Sequence, residues 1–190
     1  ANLEELNKDK EFIRVMNIHQ ITIRKPNDFH CHLRDKSELE LNVNLCFSKF
    51  RYIIVMPNLE VPITTIDMAL EYRNRIMNYD FIGKRIPLMT LYLSKNLDVN
   101  EIRKIKGKIS SGKISSGKIK DCDCIIGIKY YPKGMTTNSE YGVSNVTEII
   151  PQLKVMESED IPLLIHPETA NKDIDIFDKE TYFIENELKI

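Results

Sequence analysis

No apolar run in this 190-residue sequence approaches the ~20 residues that a membrane-crossing helix needs, so a transmembrane span is not expected. Nor is there an excess of charge of either sign. The 27 Lys and Arg residues face 28 Asp and Glu, and a net charge of -1 provides no general field for nucleic acid or anionic lipid. The opening ANLEELNKDKEF is polar, does not begin with Met and lacks the apolar core of a secretory signal. The four cysteines, Cys31, Cys46, Cys122 and Cys124, include no C-x-x-C pair, and the C-x-C spacing of the last two does not suit a zinc knuckle. A chain of this length can bury a core without disulfide staples, so the cysteines are read as free thiols in a reducing compartment and the protein as cytoplasmic.

What is present reads as an α/β domain with a short appendage. Residues 1–17 carry charge without periodicity and form an N-terminal extension; residues 18–190 form the domain. Strand-like apolar runs cover residues 20–24, 52–56, 87–93, 125–131 and 162–166, several of them nearly continuous, as in parallel strands buried on both faces. Between the second and third runs, Ile66, Ala69, Leu70, Arg73, Ile76 and Met77 keep helical spacing behind Thr64 or Thr65 as N-cap, with the Arg73 stem lying along the stripe. Val146, Ile149, Ile150, Leu153 and Met156 form another stripe capped by Ser144, which Pro151 should kink or divide. A third helical face takes in Ile174, Phe177, Ile184 and Leu188. The strand–helix alternation predicts a parallel sheet. Residues 107–120 contain the repeat GKISSGKISSGKI, which buries little and reads as a low-complexity surface insertion.

The chemistry-bearing residues gather at predicted strand ends, where sites assemble in parallel α/β folds. His30 and His32 flank Cys31 in DFHCHLRD; in an extended segment residues two apart share a side, so both imidazoles can reach one ion. His166 closes the run PLLIH, where a structural histidine is the commoner explanation. Lys129 lies among apolar neighbours in CIIGIKYYP. It either snorkels to the strand end or is a deprotonated or modified lysine beside a metal. Arg34 and Asn58 are either a surface charge and a turn residue or, together, a carboxylate fork with amide donors alongside.

These segments resemble the dihydroorotases of the amidohydrolase superfamily, in particular their single-domain bacterial-like class. DFHCHLRD is similar to that family's first metal-binding strand. VMPNLEVPITTIDMALEYRNRI is similar to its second strand and following helix. KYYPKGMTTNSEYGVSNV resembles the modified-lysine strand with its Thr-Thr loop, and IPLLIHPETANKDIDIFDKETYFIE the next metal strand. The resemblance implies a (β/α)8 TIM-type barrel, incomplete here at about its first five β/α units. It implies two zinc ions held by His30, His32, an N-carboxylated Lys129 and His166, with a bridging hydroxide. It also implies substrate contacts from His32, Arg34, Asn58 and His166, and a closing loop at Thr136 and Thr137. The implied reaction is the reversible cyclisation of N-carbamoyl-L-aspartate to L-dihydroorotate in pyrimidine biosynthesis. The family's catalytic Asp and one further zinc-binding His are expected beyond Ile190, so no catalytic base is expected in this chain and little turnover from it alone.

The implied partners are a small-molecule substrate, a second copy in a homodimer and other enzymes of the pathway, with no nucleic acid or membrane. Two other readings remain at this point. One is another cyclic-amide hydrolase, of hydantoinase or allantoinase type, against which the MPN and TTN segments weigh. The other is a non-catalytic dihydroorotase-like scaffold, which would have no use for a lysine at Lys129.

Overall fold

The computed structural model describes residues 22–79, 86–105 and 124–189. The extension at 1–17 and the repeat at 107–120 lie outside the described residues. Five strands, β1 (Asp28–Cys31), β2 (Tyr52–Val55), β3 (Ile86–Tyr92), β4 (Ile125–Tyr130) and β5 (Leu163–Ile165), form one sheet in sequential order. Every pairing is parallel. Parallel strands in chain order, each joined to the next through a crossover, build a singly wound half-barrel rather than a doubly wound sheet.

Side-chain alternation divides the sheet into two faces. Ile53, Val55, Met89, Leu91, Ile128 and Tyr130 belong to the large core shared with the helices. Ile54, Met56 and Leu88 form a smaller apolar layer with Ile126 and Leu164 on the other face. Lys129, between Ile128 and Tyr130, leaves β4 from that second face. At Gly127 in β4, an added Cβ would lie 2.7 Å from Leu164 Cδ1 and 2.8 Å from the Pro162 carbonyl oxygen. Gly127→Ala is therefore expected to cost about 1–3 kcal/mol through overpacking of β4 against β5. An unchanged thermal midpoint would show that the strands separate freely there.

Four of the expected strands are present within a residue or two, and the first is displaced. Residues 22–24 are exposed coil, and the strand is Asp28–Cys31, so His30 lies within it rather than beyond it. Thr22, Ile23 and Arg24 continue the apolar alternation of a strand but are exposed, Ile23 to 71%. DFHC pairs with β2 through its backbone although only Cys31 is buried.

Helix α1 (Leu39–Lys49) was not anticipated; Leu39, Val43 and Phe47, four residues apart, bury one narrow stripe, while Leu41 and Leu45 stay exposed and blur the pattern. Helix α2 (Ile66–Met77) begins where expected, with Thr65 Oγ1 accepting from the Met68 amide at 3.2 Å. Its buried centre is Ala69, Tyr72 and Ile76, so Tyr72 belongs to a face first drawn without it. The short α3 (Val99–Lys104) is capped by Asp98.

The expected helix around Pro151 is divided into a 3-10 turn (Val146–Ile149) and α4 (Ile150–Ser158), with proline in the first turn, where its missing N–H costs nothing. Its cap is Asn145 rather than Ser144: the Asn145 side chain accepts from the Thr147 amide at 2.9 Å. The third expected face is corrected more strongly. Residues 172–178 are non-helical, Phe177 is 91% exposed, and α5 (Lys179–Tyr182) begins later and runs into a π turn (Phe183–Glu187). Asn171 and Asp175 each bond a backbone amide two residues on, which competes with helix formation. Phe183, packed on Tyr130, is the buried aromatic instead. Among the described residues no helix is long and apolar enough to cross a membrane.

Candidate metal and carboxylate site

The polar residues singled out from the sequence lie on or just after the C-terminal ends of β1, β2, β4 and β5. β1 supplies His30 and the residue after it presents His32; their Nε2 atoms are 3.2 Å apart. Asn58, past the end of β2, decides the tautomer of His32. Its Nδ2 donates to the Thr137 carbonyl at 2.8 Å, so Oδ1 is the atom that faces His32 Nδ1, also at 2.8 Å. An amide oxygen can only accept, so Nδ1 carries the hydrogen and Nε2 presents a lone pair towards His30.

Both rings are held neutral. Burial pushes His32 down to about 4, with the Arg34 charge adding to it and the Asn58 bond opposing it. Burial is also the largest cause lowering His30, followed by the nearby Lys129 and His166. Two nitrogen ligands each ~2.05 Å from a tetrahedral zinc stand ~3.3 Å apart. The histidine pair therefore fits one zinc in separation, charge state and tautomer.

Lys129 is 2% exposed, and no carboxylate among the described residues forms a salt bridge with it. Its Nζ lies 5.2 Å from the Tyr131 ring centroid, and Tyr131 packs on Tyr92. Burial lowers its pKa to about 8. His166 continues β5 by donating its amide to the Tyr130 carbonyl, but its Nε2 is 2.5 Å from Glu168 Oε2. Among the described residues no three His, Cys, Asp or Glu side chains come together as a cation-holding group. The structure therefore brings His30 and His32 together and leaves His166 engaged with Glu168.

Arg34 follows the histidine pair in a left-handed backbone conformation (φ 60), which costs a non-glycine residue about 1–3 kcal/mol. Its Nη1 is buried without a hydrogen-bond partner, an orphaned cationic donor. Arg34 borders an open cleft of about 520 Å³, together with Asp35, Leu59, Glu60, Thr137 and Asn138. That size is ordinary for a small-molecule site.

The loop carrying Thr136 and Thr137 is tied down at its far end. Thr137 accepts from Asn58, and Asn138 Nδ2 donates to the Asn58 carbonyl at 3.0 Å. Asn138, Glu168 and Tyr72 were not singled out as site residues from the sequence. Glu168 had a signal, standing two residues after His166; Asn138 and Tyr72 act on backbone groups and had none. Cys31 and Cys46 are thiols with their sulfurs 3.2 Å apart; Cys122 lies outside the described residues.

No protein-family profile matches the chain. Individual proteins do. A dihydroorotase of Methylobacillus flagellatus is 41% identical over 169 residues, which is 88% of this chain and 45% of that protein. One from Acaryochloris marina is 40% identical over 89% of this chain and 45% of its own length. The chain is a dihydroorotase homologue. Among solved structures, the dihydroorotase of Campylobacter jejuni superposes with a TM-score of 0.71 at 32% identity, over 89% of this chain and 46% of that one. The Saccharomyces cerevisiae dihydroorotase, solved in complex with 5-fluoroorotic acid, gives 0.69 at 29% identity, over 84% and 42%. The chain thus spans somewhat under half the length of the dihydroorotases it matches, and its five strands form part of a barrel.

Proposed function

We propose that this homologue forms the metal-holding and carboxylate-binding part of a working dihydroorotase, interconverting L-dihydroorotate and N-carbamoyl-L-aspartate. In the hydrolytic direction water adds its oxygen to the ring carbonyl carbon. The C–N bond breaks and the nitrogen takes a proton. The observation that carries the reading is the placement, at neighbouring strand ends, of a neutral histidine pair, a buried lysine with no salt bridge among the described residues and an arginine whose Nη1 has no hydrogen-bond partner among them.

His30 and His32 would hold one zinc. Lys129, after its neutral amine adds carbon dioxide, would give an anionic oxygen donor to two, which removes the burial problem of a lone ammonium. His166 would join the second in place of its contact with Glu168. When bound, the metal supplies Lewis acidity and lowers the pKa of water. Arg34 would receive the substrate carboxylate, with its unsatisfied Nη1 as a donor. Asn58 keeps one amide hydrogen beyond the bond to Thr137 and can add it to the same carboxylate while it orients His32. The loop at Thr136 and Thr137 would close over the cleft by way of its attachment to Asn58. No general base is assigned among the described residues, and little turnover is expected of these 190 residues alone.

Arg34→Met tests the carboxylate assignment. In the full-length protein we expect KM for dihydroorotate to rise about 30- to 1,000-fold, as for loss of a charge-assisted pair, with little change in thermal midpoint. Asn58→Ala should act in the same direction through its lost donor and, by freeing the His32 ring, also weaken metal binding. Unchanged kcat/KM in Arg34→Met would remove Arg34 from the site.

A further inference from the structure

Three successive residues after the histidine pair are each gripped by a helix side chain. Asn42 Nδ2, on α1, donates to the Leu33 carbonyl at 3.0 Å. Tyr72, on α2, donates its hydroxyl to the Arg34 carbonyl at 2.5 Å. Arg75, one turn further along α2, donates through Nε and Nη2 to the two Asp35 carboxylate oxygens at 3.2 and 2.8 Å.

The backbone held in this way is unusual, because Arg34 and Lys36, neither of them glycine, both have positive φ (60 and 54). Such a conformation persists only where its surroundings over-determine it. None of the three grips uses the Arg34 guanidinium, and its Nη1 remains buried without a partner. The main chain is fixed, while Nη1 of the head group has no hydrogen-bond partner among the described residues.

Packing does not account for the Tyr72 hydroxyl. The ring is 1% exposed between Ala69 and Ile76 on the helix face, a place that phenylalanine would fill equally well. Burial and the nearby Asp35 carboxylate raise the phenol pKa, so the oxygen keeps its hydrogen and remains a donor.

We propose that Tyr72 is a positioning residue for substrate binding: its hydroxyl locks the left-handed Arg34 backbone and so aims the guanidinium, with its unsatisfied Nη1, at the substrate carboxylate. This rests on the reading of Arg34 given above. Tyr72 touches no reacting atom and acts through Arg34 alone. Removing its oxygen lets the strained residue relax and spreads the guanidinium over several orientations, which weakens carboxylate binding more than it slows the chemical step.

The test is a double-mutant cycle in the full-length protein, with wild type, Tyr72→Phe, Arg34→Met and the double variant assayed on dihydroorotate. Tyr72→Phe keeps the ring shape, and a thermal midpoint within a few degrees of wild type verifies the fold. We expect Tyr72→Phe to raise KM about tenfold while kcat falls less than about threefold. In the Arg34→Met background the same substitution should change KM by less than about twofold, because the residue it positions is gone. Equal effects in both backgrounds, or an unchanged KM in the single variant, would overturn the positioning role while leaving the dihydroorotase reading intact. Absence of turnover by the wild-type protein would overturn both.

Discussion

Lys129→Ala in the full-length protein is expected to lose most of its bound zinc and on the order of 10³-fold or more in kcat, with the fold preserved. A snorkelling lysine would reach water, whereas Lys129 is 2% exposed. An unpaired ammonium in that position is costly, and burial answers by lowering its pKa to about 8. About a tenth of such amines are neutral at pH 7, against roughly one in 2,500 at an ordinary lysine pKa of ~10.4. Only the neutral amine adds carbon dioxide, so burial that disfavours the cation prepares the carbamate. The carbamate is anionic and supplies the oxygen donors that two histidines and a cation lack.

Lys129→Arg should fail as well, because it keeps the positive charge and cannot form the bridging group. Short carboxylic acids added to Lys129→Ala should restore part of the activity by lending an anion to the vacated space. Wild-type turnover together with two bound zinc ions in Lys129→Ala would remove the residue from the metal site.

The parallel sheet was legible because β2 to β5 are apolar runs whose burial needs no help from context. β1 was not, because the edge segment DFHC is held by backbone pairing and functional polarity while the apolar-looking residues before it stay exposed. The helix at Ile66–Met77 was legible from its cap and stripe, but the stripe alone gave no reason to ask what the Tyr72 hydroxyl does. The third helical face failed because periodicity in Ile174, Phe177, Ile184 and Leu188 competes with Asn171 and Asp175, whose side chains tie their own backbone into turns.

In the candidate site, residue types at strand ends could be read directly from DFHCHLRD, MPN, IKYYP and LLIH. The working relations among them could not. That Asn58 sets the His32 tautomer depends on a loop carbonyl 79 residues away in sequence. That His166 is held by Glu168 depends on rotamers that no spacing rule describes. Sequence pattern locates the donors, and tertiary contacts decide which atom of each is available.

Metal removal should show the same distinction in solution. Exhaustive chelation of the full-length protein is expected to abolish dihydroorotate turnover, and about two equivalents of zinc should restore it. The pH dependence of zinc binding is the sharper observable. An ordinary histidine pair loses its metal as pH falls through ~6.5, because protons compete for the nitrogens. Here His32 is pushed down to about 4 and His30 is also lowered, so in the metal-free protein both rings stay neutral into more acidic solution. A folded-state pKa below the ordinary value moves proton competition to lower pH. The His32 contribution should therefore vary little from pH 7 down to about 5 and fall as pH nears 4, while the His30 contribution falls at a pH below the ordinary ~6.5. A chromophoric chelator competing for zinc across that range measures the curve directly. Asn58→Ala should shift the fall, because it removes the acceptor that fixes the His32 tautomer. Undiminished activity after verified metal removal would overturn the metal assignment, and a binding curve that collapses near pH 6.5 would show that the histidines are not held as the structure places them.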